Sequence, residues 1–334
     1  MRFVTIKNVQ LGMKLAKPLL DENGNVLLRA GNTLTPTVHK RLNSMELQGL
    51  YVEDEYSRDI EPIDLIEPQM RLDAMKALMK GDIKKAIKFA EEVADELYGK
   101  SSLRVNVIDI KNNKNYTYKH SVSCCVYATV VGSAMGLDRE ILRSLAVGAL
   151  LHDLGKFELP ESILHKTSKL TDEEMKLMKE HARIGYEKAS AIQEVSSVAR
   201  NAILFHHENY DGTGYFGLPN EKQHVTAKIL RVIDTYDAMT SLRKFRPAYS
   251  PAEAIEYIMG GAGTLFDPQV VKVFVERFPL YPMGVTLRLS NGEKAVVYSN
   301  DINSARPVIR TMEEKLVDLS TDPQYRSVVI EGLD

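Results

Sequence analysis

The chain has no tryptophan, only two cysteines, no surplus of positive charge and no long apolar run, and each shortage removes a class of protein. Cys124 and Cys125 are sequence neighbours inside an apolar stretch, a poor arrangement for a stapling disulfide and a common one for buried thiols in a reducing compartment. Small disulfide-held scaffolds are therefore excluded. Forty-three Lys plus Arg stand against 45 Asp plus Glu, a formal charge of -2, so there is no cationic excess to hold a nucleic-acid duplex by counterion release. Any phosphate site must be local. The longest apolar run, Leu145 to Leu151, falls far short of the roughly 20 residues of a bilayer span, and Met1 to Lys7 lacks the continuous apolar core of a signal peptide. A cytoplasmic protein with no membrane span is expected.

What remains is 334 residues, 44% hydrophobic and 26% charged, long enough for a sizeable core and for more than one domain. Alternating runs at Lys14 to Leu20 and Val26 to Arg29 flank Asn23-Gly24, a hairpin turn signal; Thr35-Pro36 opens a short helix and Gly49 to Glu53 returns as a strand. Residues 1–62 read as a small β-rich N-terminal module. Residues 63–101 read as a helical linker of two helices broken at Gly81-Asp82, whose apolar stripe fits ordinary packing better than a dimer stalk, leaving a homodimer open. From 102 to 280 the signals are helical, with loops at Asp109 to Asn115 and Asn209 to Asn220. Residues 281–334 form a small β C-terminal module, with a hairpin at Ser290 to Glu293 and a further β-type run at Ser327 to Ile330. The expected fold is multidomain: an all-α bundle in the centre, flanked by small β-rich modules.

The chemistry concentrates in the helical centre. His120, His152, His181, His206 and His207 all lie on or beside apolar helical faces, and Asp234 shares a face with Leu230, Asp237 and Ser241. Singly, each histidine is more often a hydrogen-bonded core residue than a ligand. Together, five histidines and the two aspartates Asp153 and Asp234 exceed what one ion needs, and nitrogen with carboxylate ligands suits Fe, Mn, Zn or Ni. In His152-Asp153 the imidazole can bind one ion while the adjacent carboxylate, with two oxygens, can bridge two about 3.5–4 Å apart. His206-His207 falls near a helix end, where both rings can turn to one ion. Such a pair lowers the pKa of a bridging water and favours phosphoester hydrolysis. Lys156 either neutralises the phosphate, or protonates a leaving oxygen, or caps helix carbonyls; Asp237 either orients a ligand or makes a structural hydrogen bond.

The chain resembles the HD-GYP family, the branch of the HD metal-dependent phosphohydrolases that degrades the bacterial second messenger cyclic di-GMP. The resemblance rests on His120-Ser121-Val122, His152-Asp153-Leu154-Gly155-Lys156, His181 with Gly185, His206-His207-Glu208 and Asp211-Gly212-Thr213-Gly214-Tyr215. It continues through Val232 to Ser241 and Gly263 to Pro268. It implies an HD-type helical bundle in which His120, His152, Asp153, His181, His206, His207 and Asp234 bind two divalent ions, Fe or Mn first and Zn or Ni next, with Asp153 bridging. It further implies that Lys156 assists at the phosphate, that Tyr215 lies along the substrate, and that Arg243 and Arg246 contact phosphate or guanine. The expected reaction is hydrolysis of cyclic di-GMP to linear pGpG or GMP by a metal-bridging hydroxide. The alternatives are a cyclic di-GMP receptor without turnover, or an HD phosphohydrolase of another nucleotide. Four departures bear on this, one of them Lys244 at a usual proline position of the basic segment Leu242 to Arg246. Phe216 replaces the family's proline, which predicts a less fixed loop; Ala182 follows His181 where proline is usual; Tyr116 stands where a third-metal glutamate would be, which predicts two ions rather than three. His39, His165 and His224 match no ligand position.

Overall fold

The computed structural model describes residues 1–21, 25–43, 47–62, 64–106, 116–164, 166–242, 248–301 and 303–334. The chain opens with β1 (Arg2–Thr5), β2 (Lys14–Leu15), β3 (Leu19–Leu20), β4 (Val26–Leu28), α1 (Pro36–Asn43) and β5 (Gly49–Glu53). β1 and β2 flank β5 with antiparallel pairing, Phe3 opposite Tyr51, while β3 and β4 form a separate hairpin. The run expected from Lys14 to Leu20 is broken into β2 and β3, because Pro18 between them has no N–H to give a ladder. The turn at Asn23-Gly24 lies outside the described residues.

The helical centre follows as α2 (Pro68–Met79), α3 (Ile83–Leu97), α4 (Tyr116–Ala134), α5 (Arg139–Leu151), α6 (Glu161–Leu164), α7 (Asp172–Ser190), α8 (Ser197–Phe205), α9 (Val225–Thr240), α10 (Pro251–Gly260) and α11 (Pro268–Arg277). The break between α2 and α3 comes where expected, with Gly81 at φ 68 and the Asp82 carboxylate capping Lys85 N–H at 3.1 Å. Fourteen of the 19 residues of α4 are buried, so this helix runs through the core instead of along its surface. α5 crosses it and also packs against α3 and α8. At Gly148 a Cβ would lie 2.9 Å from Ala202 Cβ and 3.0 Å from Ala199 O, so α5 and α8 approach to backbone contact. At Gly155, in the 3-10 turn Leu154–Glu158 after α5, a Cβ would lie 2.0 Å from His181 O. Glycine is required there for the turn to rest on α7. These two approaches bring the ends of α5 and α8 and the middle of α7 to one place.

The chain closes with β6 (Thr286–Leu289), β7 (Lys294–Ser299), β8 (Val308–Thr311), β9 (Leu316–Asp318) and β10 (Ile330–Leu333), an antiparallel sheet in the order β10-β6-β7-β8-β9. The β-type run expected at Ser327 to Ile330 is displaced toward the C-terminus. Val328 N–H closes a turn on Tyr325 O, and Val328 O accepts from Arg306, so these groups are unavailable to the ladder and the strand starts at Ile330. The two β regions meet. Phe3 and Tyr51 share an apolar cluster with Val285, Leu287, Val297 and Ile309, Phe3 pairs in parallel with Val285, and Arg2 joins Asp54 at 2.6 Å and Thr286 Oγ1 at 2.9 Å. Asp59 accepts a two-pronged bond from Arg310, one prong at 2.7 Å.

Two outcomes follow from this packing. Gly155→Ala forces the turn off α7 and costs about 1–3 kcal/mol of stability, read as a lower denaturant midpoint at an unchanged slope. The Arg310 guanidinium holds the Asp59 carboxyl at about 2, below its ordinary 3.8. This depressed value means the pair stabilises the fold above about pH 4 and ceases to do so as pH falls through 2. Asp59 is about half exposed, so solvent screening keeps the effect small. Asp59→Asn is therefore slightly less stable than wild type at pH 7, and the two unfolding midpoints converge between pH 4 and pH 2.

Candidate metal centre

Each histidine of the centre is placed by a helix. His120 lies one turn into α4, His152 follows the last residue of α5, His181 lies on α7, and His206 and His207 follow the end of α8. Asp153 opens the turn after α5, and Asp234 and Asp237 share the inner face of α9. His120, His152, Asp153, His181, His206 and Asp237 are at most 1% exposed. His207 and Asp234 face a partly open side, their side chains 19% and 10% exposed. The structure thus brings together all seven residues expected to ligate. The rings of His206 and His207, just past the end of α8, lie 4.1 Å apart at 43°.

The inner atoms are very close. His120 Nε2 is 3.2 Å from His152 Nε2 and 3.1 Å from Asp234 Oδ1, and His181 Nε2 is 3.2 Å from His206 Nε2. Asp153 lies between these pairs: Oδ1 is 3.5 Å from His152 Nε2 and 3.7 Å from His181 Nε2, and Oδ2 is 3.8 Å from His120 Nε2. His207 Nδ1 is 3.8 Å from Asp234 Oδ2. Asp237 Oδ2 lies 2.7 Å from His120 Nδ1. The Lys156 ammonium donates to Asp153 Oδ2 at 2.6 Å.

Whether these groups suit cations can be judged from their lone pairs. Nδ1 of His152 meets Ala149 O at 2.8 Å, Nδ1 of His181 meets Met178 O at 2.6 Å, and Nδ1 of His206 meets Ile203 O at 2.7 Å. A carbonyl only accepts, so the ring proton sits on Nδ1 and each Nε2 carries a bare lone pair directed inward. Two such lone pairs 3.2 Å apart repel unless a cation stands between or beside them. Asp153 Oδ1, fully buried, has no hydrogen-bond partner among the described residues, a costly arrangement that a metal–oxygen bond removes. The donor set fits divalent first-row ions.

Burial pushes His152 and His206 below the ordinary imidazole range, His181 to about 4 and His207 to about 3, so all four are neutral and able to ligate at pH 7. Burial presses His120 down as well, but its bonds to Asp234 and Asp237 help to outweigh this, and the ring is held well above its usual value. Without a cation, that corner draws a proton. Burial would raise Asp153 and Asp234; the neighbouring His152 ring and the Lys156 ammonium on the first, and the bond from His120 on the second, hold both carboxyls well below their normal range.

Tyr215 stands at the rim, its ring stacked on His207 at 4.5 Å and 29° and its hydroxyl pushed up to about 12 by burial. Arg243 and Arg246 lie outside the described residues, as does His165. His39 meets Val9 O, and His224 caps α9, so neither joins the cluster. Three neighbours of the centre were given no contact with it by the sequence. Lys179 holds its ammonium 5.1 Å from the Tyr215 ring centroid; Tyr116 stacks on His120 at 5.3 Å; Glu208, 2% exposed, accepts from Phe216 N–H at 2.6 Å and Leu218 N–H at 2.8 Å. Glu208 follows the His206-His207 pair directly, and that adjacency was the available signal. The loop expected to be loosened by the loss of proline is instead tied at the very residue that replaced it.

Residues 105–270 match the family described as HD domain. The chain is 35% identical over 217 residues to a cyclic di-GMP phosphodiesterase of Pseudomonas aeruginosa, covering 65% of this chain and 52% of that protein. It is 42% identical over 146 residues to the cyclic di-GMP phosphodiesterase response regulator RpfG of Xanthomonas campestris pv. campestris, covering 43% and 39%. It thus spans about half the length, or less, of these two relatives. Among solved structures, an HD-GYP-type protein of Bdellovibrio bacteriovorus is similar at 16% identity and a TM-score of 0.49, covering 81% of this chain and 97% of that one. No helix among the described residues is long and apolar enough to cross a membrane. Residues 105–270 thus carry an HD domain.

Proposed function

We propose that this chain is a metal-dependent phosphodiesterase that hydrolyses cyclic di-GMP to linear pGpG or GMP, as the names of its relatives suggest. One observation carries the reading: two pairs of facing imidazole Nε2 atoms with an unpartnered carboxylate oxygen between them. In this reading residues 102–280 form the catalytic unit, and 1–62, 63–101 and 281–334 flank it. His120, His152, His181, His206, His207, Asp153 and Asp234 would hold two divalent ions, Fe or Mn before Zn or Ni. Bound there, the ions supply an acidified water and draw off negative charge from the phosphate.

The residues themselves do the rest. Asp237 keeps the His120 proton on Nδ1 and its Nε2 turned inward. Lys156, anchored on Asp153 and 22% exposed, offers its Nζ protons to a phosphate oxygen and to the departing 3′ oxygen. Tyr215 closes the rim beside His207, and Arg243 and Arg246 supply planar forks for phosphate oxygens or guanine acceptors.

Supplied with Mn(II) or Fe(II), the purified protein converts cyclic di-GMP to pGpG or GMP, seen by chromatography, and prefers it to mononucleotides and other cyclic dinucleotides. Asp153→Ala lowers the rate about a thousandfold or more. Binding of cyclic di-GMP without metal-dependent product defeats the reading. Asp237→Asn weakens metal affinity about 10- to 100-fold while leaving the fold intact, measured by metal titration, and saturating metal recovers most of the activity.

A further inference from the structure

A proline at position 216 would fix φ near -65° but would carry no N–H. Phe216 has that N–H, and it donates to Glu208 Oε1 at 2.6 Å, while Leu218 N–H donates to Glu208 Oε2 at 2.8 Å. Each carboxylate oxygen thus receives one amide from the far side of the loop. The side chain is buried, and bonds of this kind to a carboxylate are short and about twice as strong as neutral ones. The loop lies directly on the Glu208 backbone, for at Gly214 a Cβ would stand 2.4 Å from Glu208 Cα.

Other bonds secure the two feet of the loop. Tyr210 and Asp211 donate their amides to Leu265 O and Thr264 O, and Gln223 Nε2 donates to Asn209 O and Leu218 O. The amides on either side of the loop tip go to Glu208. Between the feet and these amides stands Tyr215, stacked on His207.

We propose that Glu208 is the positioning residue for Tyr215, its carboxylate latching the Phe216 and Leu218 amides in place of a fixed proline. The proposal rests on the phosphodiesterase reading for its effect on substrate. The latch itself is read independently of any activity. Without it, Tyr215 leaves His207 and the rim loses its shape, while the ions stay in place because Glu208 touches none of the inward-facing atoms.

The test uses the metal-loaded full chain and compares wild type with Glu208→Ala and Glu208→Gln. In Glu208→Ala, hydrogen exchange in the segment 209–219 accelerates about tenfold or more, with α8 and α9 unchanged. KM for cyclic di-GMP rises about tenfold, kcat stays within about twofold, and metal content and the hydrolysis of bis(p-nitrophenyl) phosphate are unaltered. Glu208→Gln, which keeps one accepting oxygen, falls between. Unchanged exchange in the loop overturns the proposal, as does loss of bound metal, or an equal fall in kcat on both substrates. If wild type leaves cyclic di-GMP intact, the functional reading fails and the exchange measurement alone decides the latch.

Discussion

The structure depends on one electrostatic constraint: imidazole lone pairs aimed at one another inside a buried core. Three of the rings are aimed by their own helices. His152, His181 and His206 each give the Nδ1 proton to the carbonyl three residues earlier, so the backbone that carries the ring also fixes its tautomer and its heading. His120 instead borrows its acceptor from another helix, through Asp237. Such rings can face inward only if their helices come very close. The glycines at the α5–α8 crossing and at the turn against α7 answer that need, since a methyl group at either would part the elements.

Much of the centre was legible in the sequence because helical spacing speaks directly about faces. Asp234 and Asp237 could be assigned to one inner face from period alone, and the end of α8 could be placed near His206. The orienting carbonyls of Ala149, Met178 and Ile203 were not legible, since every residue has a carbonyl and none marks itself as an acceptor. Glu208 was hidden for a related reason. Its partners are backbone amides of a loop, which leave no trace in side-chain identity, and the change from proline to Phe216 read as a loss when it also supplied a donor.

The ends of the chain show a different limit. Hairpins around Ser290 to Glu293 and the helix at Pro36 were visible from local turn chemistry, but β8 and β9 are short and carry little periodic signal. Nothing local in the sequence connects Phe3 with Val285, because that contact joins positions at opposite ends of the chain. Burial of Phe3 and Tyr51 against the C-terminal strands is a property of the folded whole.

That contact makes the helical centre a long excursion that leaves one β assembly and returns to it. The bundle is therefore clasped at both feet, and tension applied to the strands is transmitted to its entrance and its exit together. Loosening the clasp frees both tethers at once, so the domain with the inward-facing rings behaves mechanically as an inserted module, not as a bead on a string.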